Sequence, residues 1–376
     1  MNYNIISADS HMDLGYVPPD AFISRVPDQW KDRVPKVIET SEGPEWVAGD
    51  QKLGPYGYTF QRGPMRGVRG KAMAEAGFEQ EDCRPSNPIH RIEDQEKDGV
   101  DAEVIYGIFR LQDKLKDLDA AAVSFSAYNQ YIAEFCSSNP ERLFGLGCIP
   151  CNNVESAVNE TKHCAQLGLK GAEWSYLDAS KPLWHPHWEP MWEAAAEHNV
   201  VISLHVRAGT TTVGLPGMVP GLEDHPSSFA AALAVSPMQL DEALASIIYC
   251  GALERHPNLK IVLAESGIGW IPYVLDRMDY EWEDNYDRFT NLINTKPSDL
   301  FRRQVYATFQ KDAVGPLLAG QFCPDNFMWG SDYPHPDGVW PDSQKTIQQY
   351  MGQIDEELRR KITRDNVAAL YGIRLD

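Results

Sequence analysis

The chain has 376 residues with 34 basic and 54 acidic side chains, and therefore a formal net charge of −20. This acidic composition argues against nucleic-acid binding, which requires a basic surface. No apolar run approaches the roughly 18 residues that a transmembrane helix needs, and the first residues lack the pattern of a signal peptide. The seven cysteines are scattered along the chain, which is typical of reduced thiols rather than of a disulfide framework. We therefore predict a cytoplasmic protein that binds neither nucleic acid nor membranes.

Short segments with strand character alternate with helical segments along most of the chain. Some of them, such as VVISLHV and LKIVLAE, are continuous apolar runs, which are typical of parallel strands buried on both faces. The predicted strands cover residues 3–7, 102–107, 143–149, 169–174, 200–206, 260–265, 304–308 and 327–330. The predicted helices cover residues 119–137, 154–167, 188–198, 237–255, 271–286 and 355–370.

Eight strands alternating with helices predict an α/β fold, specifically a (β/α)8 TIM barrel. A doubly wound open sheet is the alternative, but no G-x-G-x-x-G follows the first strand. We predict a single domain over residues 1–376. Residues 25–96 depart from the alternation and are rich in Gly, Pro and Arg. Because an insertion after the first strand of a barrel lies at the catalytic mouth, we interpret them as a long inserted loop that serves as a lid or an interface element. Its Arg62, Arg66 and Arg69 are candidates for contacts with an anionic substrate.

Polar residues follow several of the predicted strands, at the end where a barrel carries its catalytic groups. Asp9 and His11 come from the first strand, and alternate residues of an extended segment point to the same side. His205 ends the fifth strand and Asp332 follows the eighth. Imidazole and carboxylate ligands together suit Zn, Mn or Fe better than Ca or Mg. We therefore predict a divalent metal site, with Zn as the expected ion, Mn or Fe as alternatives, and one or two ions bound.

Two further strand-end residues are candidates for catalysis. Glu265 ends the sixth strand, and three roles are open for it: a carboxylate that orients another group, a general base whose pKa is raised by burial, or a metal ligand. His335 follows Asp332 by one turn and lies between two prolines, which restrict its backbone. With the four candidates above they form a carboxylate-rich set of six residues, which is enough for two metal ions.

The sequence resembles the amidohydrolase-related family that is typified by aminocarboxymuconate-semialdehyde decarboxylase and γ-resorcylate decarboxylase. The resemblance implies a metal-dependent barrel enzyme, with Asp9, His11, His205 and Asp332 at the metal-ligand positions. It covers the first strand and most of the chain after residue 90. The segments that carry it are ADSH, RIEDQEKDGVDAEVIYG, HWEPMWEAAAEHNVVISLH, GALERHPNLKIVLAESG, MWGSDYPHPD and ITRDNVAALYG.

The resemblance also bears on substrate and assembly. Arg277 aligns with a family arginine that reaches into a neighbouring subunit and holds a substrate carboxylate there; the alternative is an ordinary arginine on a helix surface. We accordingly expect a small anionic substrate and a homodimer or higher oligomer, with a heteromer containing a related subunit as an alternative.

The chain departs from the family pattern at two places. The first strand carries D-x-H where H-x-H or E-x-H is common. The sixth strand ends in Glu265 where the decarboxylases have a His that acts as acid and base, and Ile268 stands where a Glu often follows. We therefore expect non-oxidative decarboxylation or hydrolysis of a small carboxylate. Two alternatives are open: a dinuclear Mn/Fe oxygenase with Glu265 as a ligand, and a catalytically silent metal-binding subunit of a hetero-oligomer.

Overall fold

The computed structural model describes residues 3–57, 84–207, 226–289, 292–335 and 338–375. Arg62, Arg66 and Arg69 lie outside the described residues. No helix in the described ranges is both long and apolar enough to cross a membrane. The described strands are β1 (Ile6–His11), β2 (Lys36–Thr40), β3 (Gly43–Ala48), β4 (Gln51–Pro55), β5 (Ala102–Tyr106), β6 (Leu143–Gly145), β7 (Gly147–Ile149), β8 (Gly171–Trp174), β9 (Val201–His205), β10 (Ile261–Ala264), β11 (Val305–Phe309) and β12 (Phe327–Trp329).

Helices and short helical turns follow most of the strands in this part of the chain. The α-helices are Pro88–Asp98, Leu111–Lys114, Leu118–Ser137, Val154–Gln166, Glu189–His198, Pro226–Val235, Asp241–Tyr249, Ala252–Arg255, Ile271–Asp284, Tyr286–Phe289, Pro297–Gln304, Gly315–Phe322, Ser343–Met351, Glu356–Arg360 and Asn366–Tyr371. The 3-10 turns are Asp28–Trp30, Arg84–Ser86, Tyr176–Asp178, Pro186–Trp188 and Ser236–Leu240, and Lys361–Asp365 forms a π-helical turn.

The parallel strands form a closed barrel, as predicted. Their order is β1-β5-β6 in one sheet and β7-β8-β9-β10-β11-β12 in the other. Strands β6 and β7 are one strand interrupted at Leu146, whose amide donates to Ile105. At the other seam the His11 amide donates to the Tyr333 carbonyl at 2.6 Å, and the Asp332 amide donates to the Asp9 carbonyl at 2.8 Å. The barrel therefore closes at the place where β1 meets the segment after β12.

Alternate residues of the strands fill the inside of the barrel, and the intervening residues pack against the helices. The helix Leu118–Ser137 lies close to the β6–β7 strand because Gly145 and Gly147 face it. A Cβ at Gly147 would stand 3.1 Å from Oδ1 of Asn129, and a Cβ at Gly145 would stand 2.7 Å from Ile132. Six of the apolar side chains inside the barrel are Ile6, Ala8, Val104, Val262, Ala264 and Met328.

The segment between β1 and β5 is more regular than the sequence suggested. The described part of residues 25–96 contains the antiparallel sheet β2-β3-β4 and most of the helix Pro88–Asp98, where we expected an inserted loop. The sheet strands are largely half-buried or exposed, so they lack the apolar runs of the barrel strands. The helix buries Arg91, Asp94, Gln95 and Asp98, so its inner face is polar and shows no helical apolar period. The role of residues 25–96 as a lid or an interface element stays a prediction.

Candidate metal centre

The ends of β1 and β9 bring three predicted ligands together. The ligand atoms of Asp9, His11 and His205 all lie within 4.8 Å of one another, and all three residues are buried. Nε2 of His11 is 3.3 Å from Oδ1 of Asp9, and Nε2 of His205 is 3.8 Å from the same oxygen. Because these residues stand at the carboxyl ends of parallel strands, the group occupies the catalytic end of the barrel.

A second group extends from the first and shares His11 with it. It consists of His11, Asp332 and His335. Oδ1 of Asp332 lies 3.1 Å from Nε2 of His11 and 2.8 Å from Nδ1 of His335. The His335 ring stacks on the His11 ring with centroids 4.1 Å apart, and its Nε2 lies 2.8 Å from Asp13. His335 thus connects the buried group to the half-exposed carboxylate of Asp13.

Several buried polar atoms at this place have no hydrogen-bond partner among the described residues. They are Oδ1 of Asp9, Nε2 of His11, Nε2 of His205 and both side-chain oxygens of Asp332. Buried polar atoms are normally satisfied, and an unsatisfied one costs about 1–3 kcal/mol. Five such atoms on the four predicted ligands, all of types that bind Zn or Mn, fit a divalent metal ion.

Neighbouring groups orient the unpartnered atoms. Nδ1 of His205 donates to the Val206 carbonyl at 2.8 Å, which directs Nε2 at Asp9. The other oxygen of Asp9, Oδ2, accepts from the Thr308 hydroxyl at 2.6 Å and from the Glu265 amide at 3.1 Å. Such partners fix the tautomer and the direction of a metal ligand. Asp9 and His205 are therefore each held by one atom, and the other atom is left for the ion.

The electrostatics of the group are those of carboxylates paired with imidazoles. Burial raises the pKa of Asp9, but the contacts with His11 and His205 outweigh it and leave that pKa well below its ordinary value. Burial and the charge of His335 lower the pKa of His11, but Asp332 and Asp9 raise it to about 10. Without an ion, protons on the histidines balance the buried carboxylates. A divalent metal would bind the deprotonated imidazoles, so its binding would release protons from the histidines.

Glu265 lies beside the two groups and is in neither of them. Its side chain is 24% exposed and its Oε2 is 3.9 Å from Nδ1 of His205. Its Oε1 accepts from the Gln310 side chain at 3.3 Å. The Glu265 backbone has φ of +55°, a conformation that non-glycine residues rarely adopt and that often marks functional sites. The carboxylate is thus held at the mouth of the barrel, next to the candidate metal ligands and open to solvent.

Arg277 is not part of this site within one chain. It lies on the exposed side of the helix Ile271–Asp284, where its guanidinium contacts Glu281 and stacks over the Tyr280 ring. Arg277, other residues of that helix and Tyr249 of the helix Asp241–Tyr249 line a surface depression of about 360 Å³. Its role in the site of a neighbouring subunit stays a prediction.

Three further residues of the site were not predicted from the sequence. Thr308 and Gln310 hold Asp9 and Glu265, respectively, and Asp13 bonds to His335. Thr308 and Gln310 stand at the end of the seventh barrel strand, so the strand-end rule that predicted the candidate ligands applies to them as well. Asp13 continues the alternation of Asp9 and His11. The position in the sequence therefore pointed to all three residues. Thr308 and Gln310 were missed because they are uncharged, and Asp13 because it was a third acidic or basic group after the first strand.

The close approach of β12 to β1 gives a first test of the site. A Cβ at Gly330 would lie 2.4 Å from the Asp9 Cβ and 3.0 Å from its amide nitrogen. We expect Gly330→Ala to displace Asp9, to lower the free energy of unfolding by about 1–3 kcal/mol and to weaken Mn²⁺ binding, measured by urea unfolding and by metal titration. Gly320→Ala is the control, because its Cβ meets only Leu358, at 3.2 Å. Unchanged stability and metal affinity in Gly330→Ala would contradict the proposed packing.

The sequence matches known proteins over most of its length. A sequence model described as amidohydrolase matches residues 93–373. The 2-amino-3-carboxymuconate-6-semialdehyde decarboxylase of Dictyostelium discoideum is 26% identical over 299 residues, which cover 77% of this chain and 79% of the relative. The γ-resorcylate decarboxylase of Rhodococcus jostii is 26% identical over 263 residues, which cover 65% of this chain and 74% of the relative.

Solved structures share the fold over nearly the whole chain. An amidohydrolase of Mycobacterium avium subsp. paratuberculosis superposes with a TM-score of 0.73 at 21% identity, covering 99% of this chain and 100% of the other. A dihydroxybenzoic acid decarboxylase of Polaromonas, crystallised with bound manganese and the inhibitor 2-nitroresorcinol, superposes with a TM-score of 0.64 at 16% identity, covering 99% and 98% of the two chains. These similarities confirm the predicted barrel.

Proposed function

Because the chain belongs to the amidohydrolase family, we propose that it is a divalent-metal-dependent decarboxylase that removes CO₂ from a small carboxylate without oxidation. The observation that carries the proposal is the set of five unpartnered ligand atoms on Asp9, His11, His205 and Asp332. The relatives add the reaction type, since the Dictyostelium and Rhodococcus proteins are both decarboxylases. The ligands suit Zn²⁺ and Mn²⁺, and manganese is the ion in the Polaromonas decarboxylase.

Asp9, His11, His205 and Asp332 hold the ion in this proposal. When bound, a divalent metal supplies Lewis-acid polarisation of a substrate oxygen. The protein's own task is then to exchange protons, because decarboxylation replaces a carboxylate by hydrogen on the same carbon. Glu265 is the group for this task, since it is beside His205, fixed by Gln310 and partly exposed. Its opening to solvent allows the proton to be replaced after each turnover.

His335 has a second place in the proton exchange. It bridges Asp332 and Asp13 with 2.8 Å contacts on both ring nitrogens. A proton that enters from solvent at the Asp13–His335 pair therefore has a route of close contacts to the edge of the metal group. In this scheme Glu265 serves the substrate carbon directly, and His335 keeps the charge of the ligand group constant.

One observation favours a second candidate, the dinuclear oxygenase. The group His11, Asp332 and His335 shares His11 and Asp332 with the first ion and adds His335, so a second ion next to the first would take its additional protein ligand from His335. Carboxylates and imidazoles are also the ligands with which paired iron or manganese ions activate oxygen. The arrangement of Glu265 is less favourable to this candidate, because it belongs to neither group.

Metal content and CO₂ release test the proposal together. We expect one Mn or Zn per chain after expression with Zn, Mn and Fe supplied, and CO₂ release from at least one member of a panel of small hydroxylated aromatic carboxylates that includes γ-resorcylate. Two redox-active ions per chain would favour the oxygenase. A bound metal without turnover of any substrate, with or without oxygen, would favour a catalytically silent subunit.

Glu265→Gln separates the roles of that residue. We expect the variant to keep its metal and to lose activity by about 10²–10⁴-fold, the usual contribution of a general acid or base. Glu134→Gln is the matched control, since that carboxylate is exposed and pairs with Arg25 on the surface. Loss of metal in Glu265→Gln would instead identify a ligand, and unchanged activity would leave an orienting role only.

A further inference from the structure

Below the metal ligands, the inside of the barrel contains one buried carboxyl group that the proposed reaction does not use. Glu173 lies in β8 and is 1% exposed. It is in register with Ser203 of β9, which precedes the ligand His205 by two residues and therefore faces the same side of its strand. Glu173 consequently faces the barrel interior, one layer beneath the metal site.

Glu173 differs in its partners from two other buried acidic residues. Glu103 pairs with Arg91, and Asp94 pairs with Arg84. In the described part of the chain, the carboxyl group of Glu173 accepts one backbone hydrogen bond, from Gly107, and its Oε1 has no partner. A buried carboxylate without a cationic partner is costly, so such a group stays neutral by holding a proton. Burial accordingly raises the pKa of Glu173 to about 7.

The groups around Glu173 do not neutralise it from within its own layer. Tyr106 of β5, Ser203 of β9 and Tyr371 of the C-terminal helix contribute buried hydroxyl groups. The thiol of Cys148 in β7 lies 3.9 Å from Oε2. All of these are uncharged near neutral pH, because burial raises the pKa of the two phenols and the thiol. The charged groups that act on Glu173 are His205 and His11, which favour its ionisation, and Asp9, which opposes it.

We propose that Glu173 is an electrostatic partner of the metal site, which keeps its proton while the site is empty and releases it when a divalent cation binds above it. The inference rests on the metal site of the proposed function. A divalent cation that displaces fewer histidine protons than its own two charges adds positive charge beside His205, in a water-poor interior where charges interact strongly. The negative charge then created on Glu173 strengthens the hold on the cation. In this proposal Glu173 acts on the ion through its negative charge, without contacting the ion or the substrate.

Proton release on Mn²⁺ binding tests the inference. The titration uses the full chain and Mn²⁺ alone, in buffers of different ionisation enthalpy, from pH 5.5 to pH 8.5. We expect the wild-type protein to release up to one proton more than Glu173→Gln near pH 6–7, because the neutral amide has no proton to give. At pH 8.5 we expect Glu173→Gln to bind Mn²⁺ about tenfold more weakly than the wild type, since one unit of pKa displacement corresponds to tenfold in affinity. The two affinities should converge at pH 5.5.

Glu160→Gln is the matched control, because Glu160 is a buried carboxylate that bonds to Asn129 and His163. It should release as many protons as the wild type. Equal proton release by Glu173→Gln and the wild type would overturn the inference, whereas a wild-type protein that binds no Mn²⁺ would overturn the proposed metal site itself. If Glu173→Gln does not fold, infrared difference spectra of the wild type decide: the inference requires that a protonated carboxyl band disappear on Mn²⁺ addition at pH 6.

Discussion

Asp332→Asn is expected to abolish both stoichiometric metal binding and turnover. Asp332 is fully buried, and within the described ranges both of its side-chain oxygens lack hydrogen-bond partners, so the carboxylate is available to an ion. Residues that only orient metal ligands contribute 10–100-fold to affinity, and we expect a loss above about 100-fold for this ligand. Activity should fall in parallel. Metal analysis after dialysis and CO₂ release measure the two effects.

Asparagine is the appropriate replacement because Asp332 has φ of +55°. Asn tolerates this left-handed conformation better than other side chains, so the variant removes the charge without straining the backbone. Its backbone amide can still donate to the Asp9 carbonyl as the wild type does at 2.8 Å. Asp325→Asn is the control, since Asp325 is exposed and pairs with Lys361. Retention of one tightly bound metal ion in Asp332→Asn would remove Asp332 from the ligand set.

The barrel was predictable because its strands have a simple physical signature. Strands covered on both faces must be apolar at nearly every position, and runs such as VVISLHV and LKIVLAE coincide with β9 and β10. The polar residues at the ends of such runs are conspicuous for the same reason. Asp9, His11 and His205 are therefore recognisable in the sequence as candidate ligands, and the barrel topology brings them to one end.

Other features depend on contacts that no local pattern encodes. The helix Pro88–Asp98 has good capping signals, with Asn87 before it and Gly99 after it. Its inner face is polar, however, so the sequence lacks the apolar spacing that predicts a helix. The predicted long helix at 355–370 is interrupted by the π-helical turn Lys361–Asp365. Glu173 lies inside a predicted strand, and a strand does not reveal which of its two faces is inside the barrel. Only the register with Ser203 decides this.

The polar face of the helix Pro88–Asp98 supports the metal site from outside the barrel. Arg91 is fully buried, and one of its terminal nitrogens donates to the His11 carbonyl at 2.9 Å and to the Pro85 carbonyl at 3.1 Å. The same guanidinium bonds to Glu103 of β5. The side chain thus ties the helix to the strand that carries two predicted ligands. We therefore expect both the free energy of unfolding and the metal affinity to depend on Arg91.

Arg91→Met should lower the free energy of unfolding by about 3–5 kcal/mol, because it leaves Glu103 buried without its cation. The Gln95 side chain still donates to that carboxylate. Urea unfolding of the metal-free protein measures the loss, and Mn²⁺ titration should show weaker binding because the His11 carbonyl loses its donor. Arg33→Met is the control: Arg33 pairs with Asp117 at the surface, where such pairs contribute about 0.2–1 kcal/mol.

The double variant Arg91→Met/Glu103→Leu identifies the origin of the loss. If an uncompensated buried charge causes it, removing that charge as well should recover a large part of the stability, as replacement of buried ion pairs by apolar residues often does. The recovery should be incomplete, since the carbonyls of His11 and Pro85 remain without their donor, and the weakened Mn²⁺ binding should persist. A double variant no more stable than Arg91→Met would show that the lost carbonyl bonds, rather than the charge of Glu103, dominate.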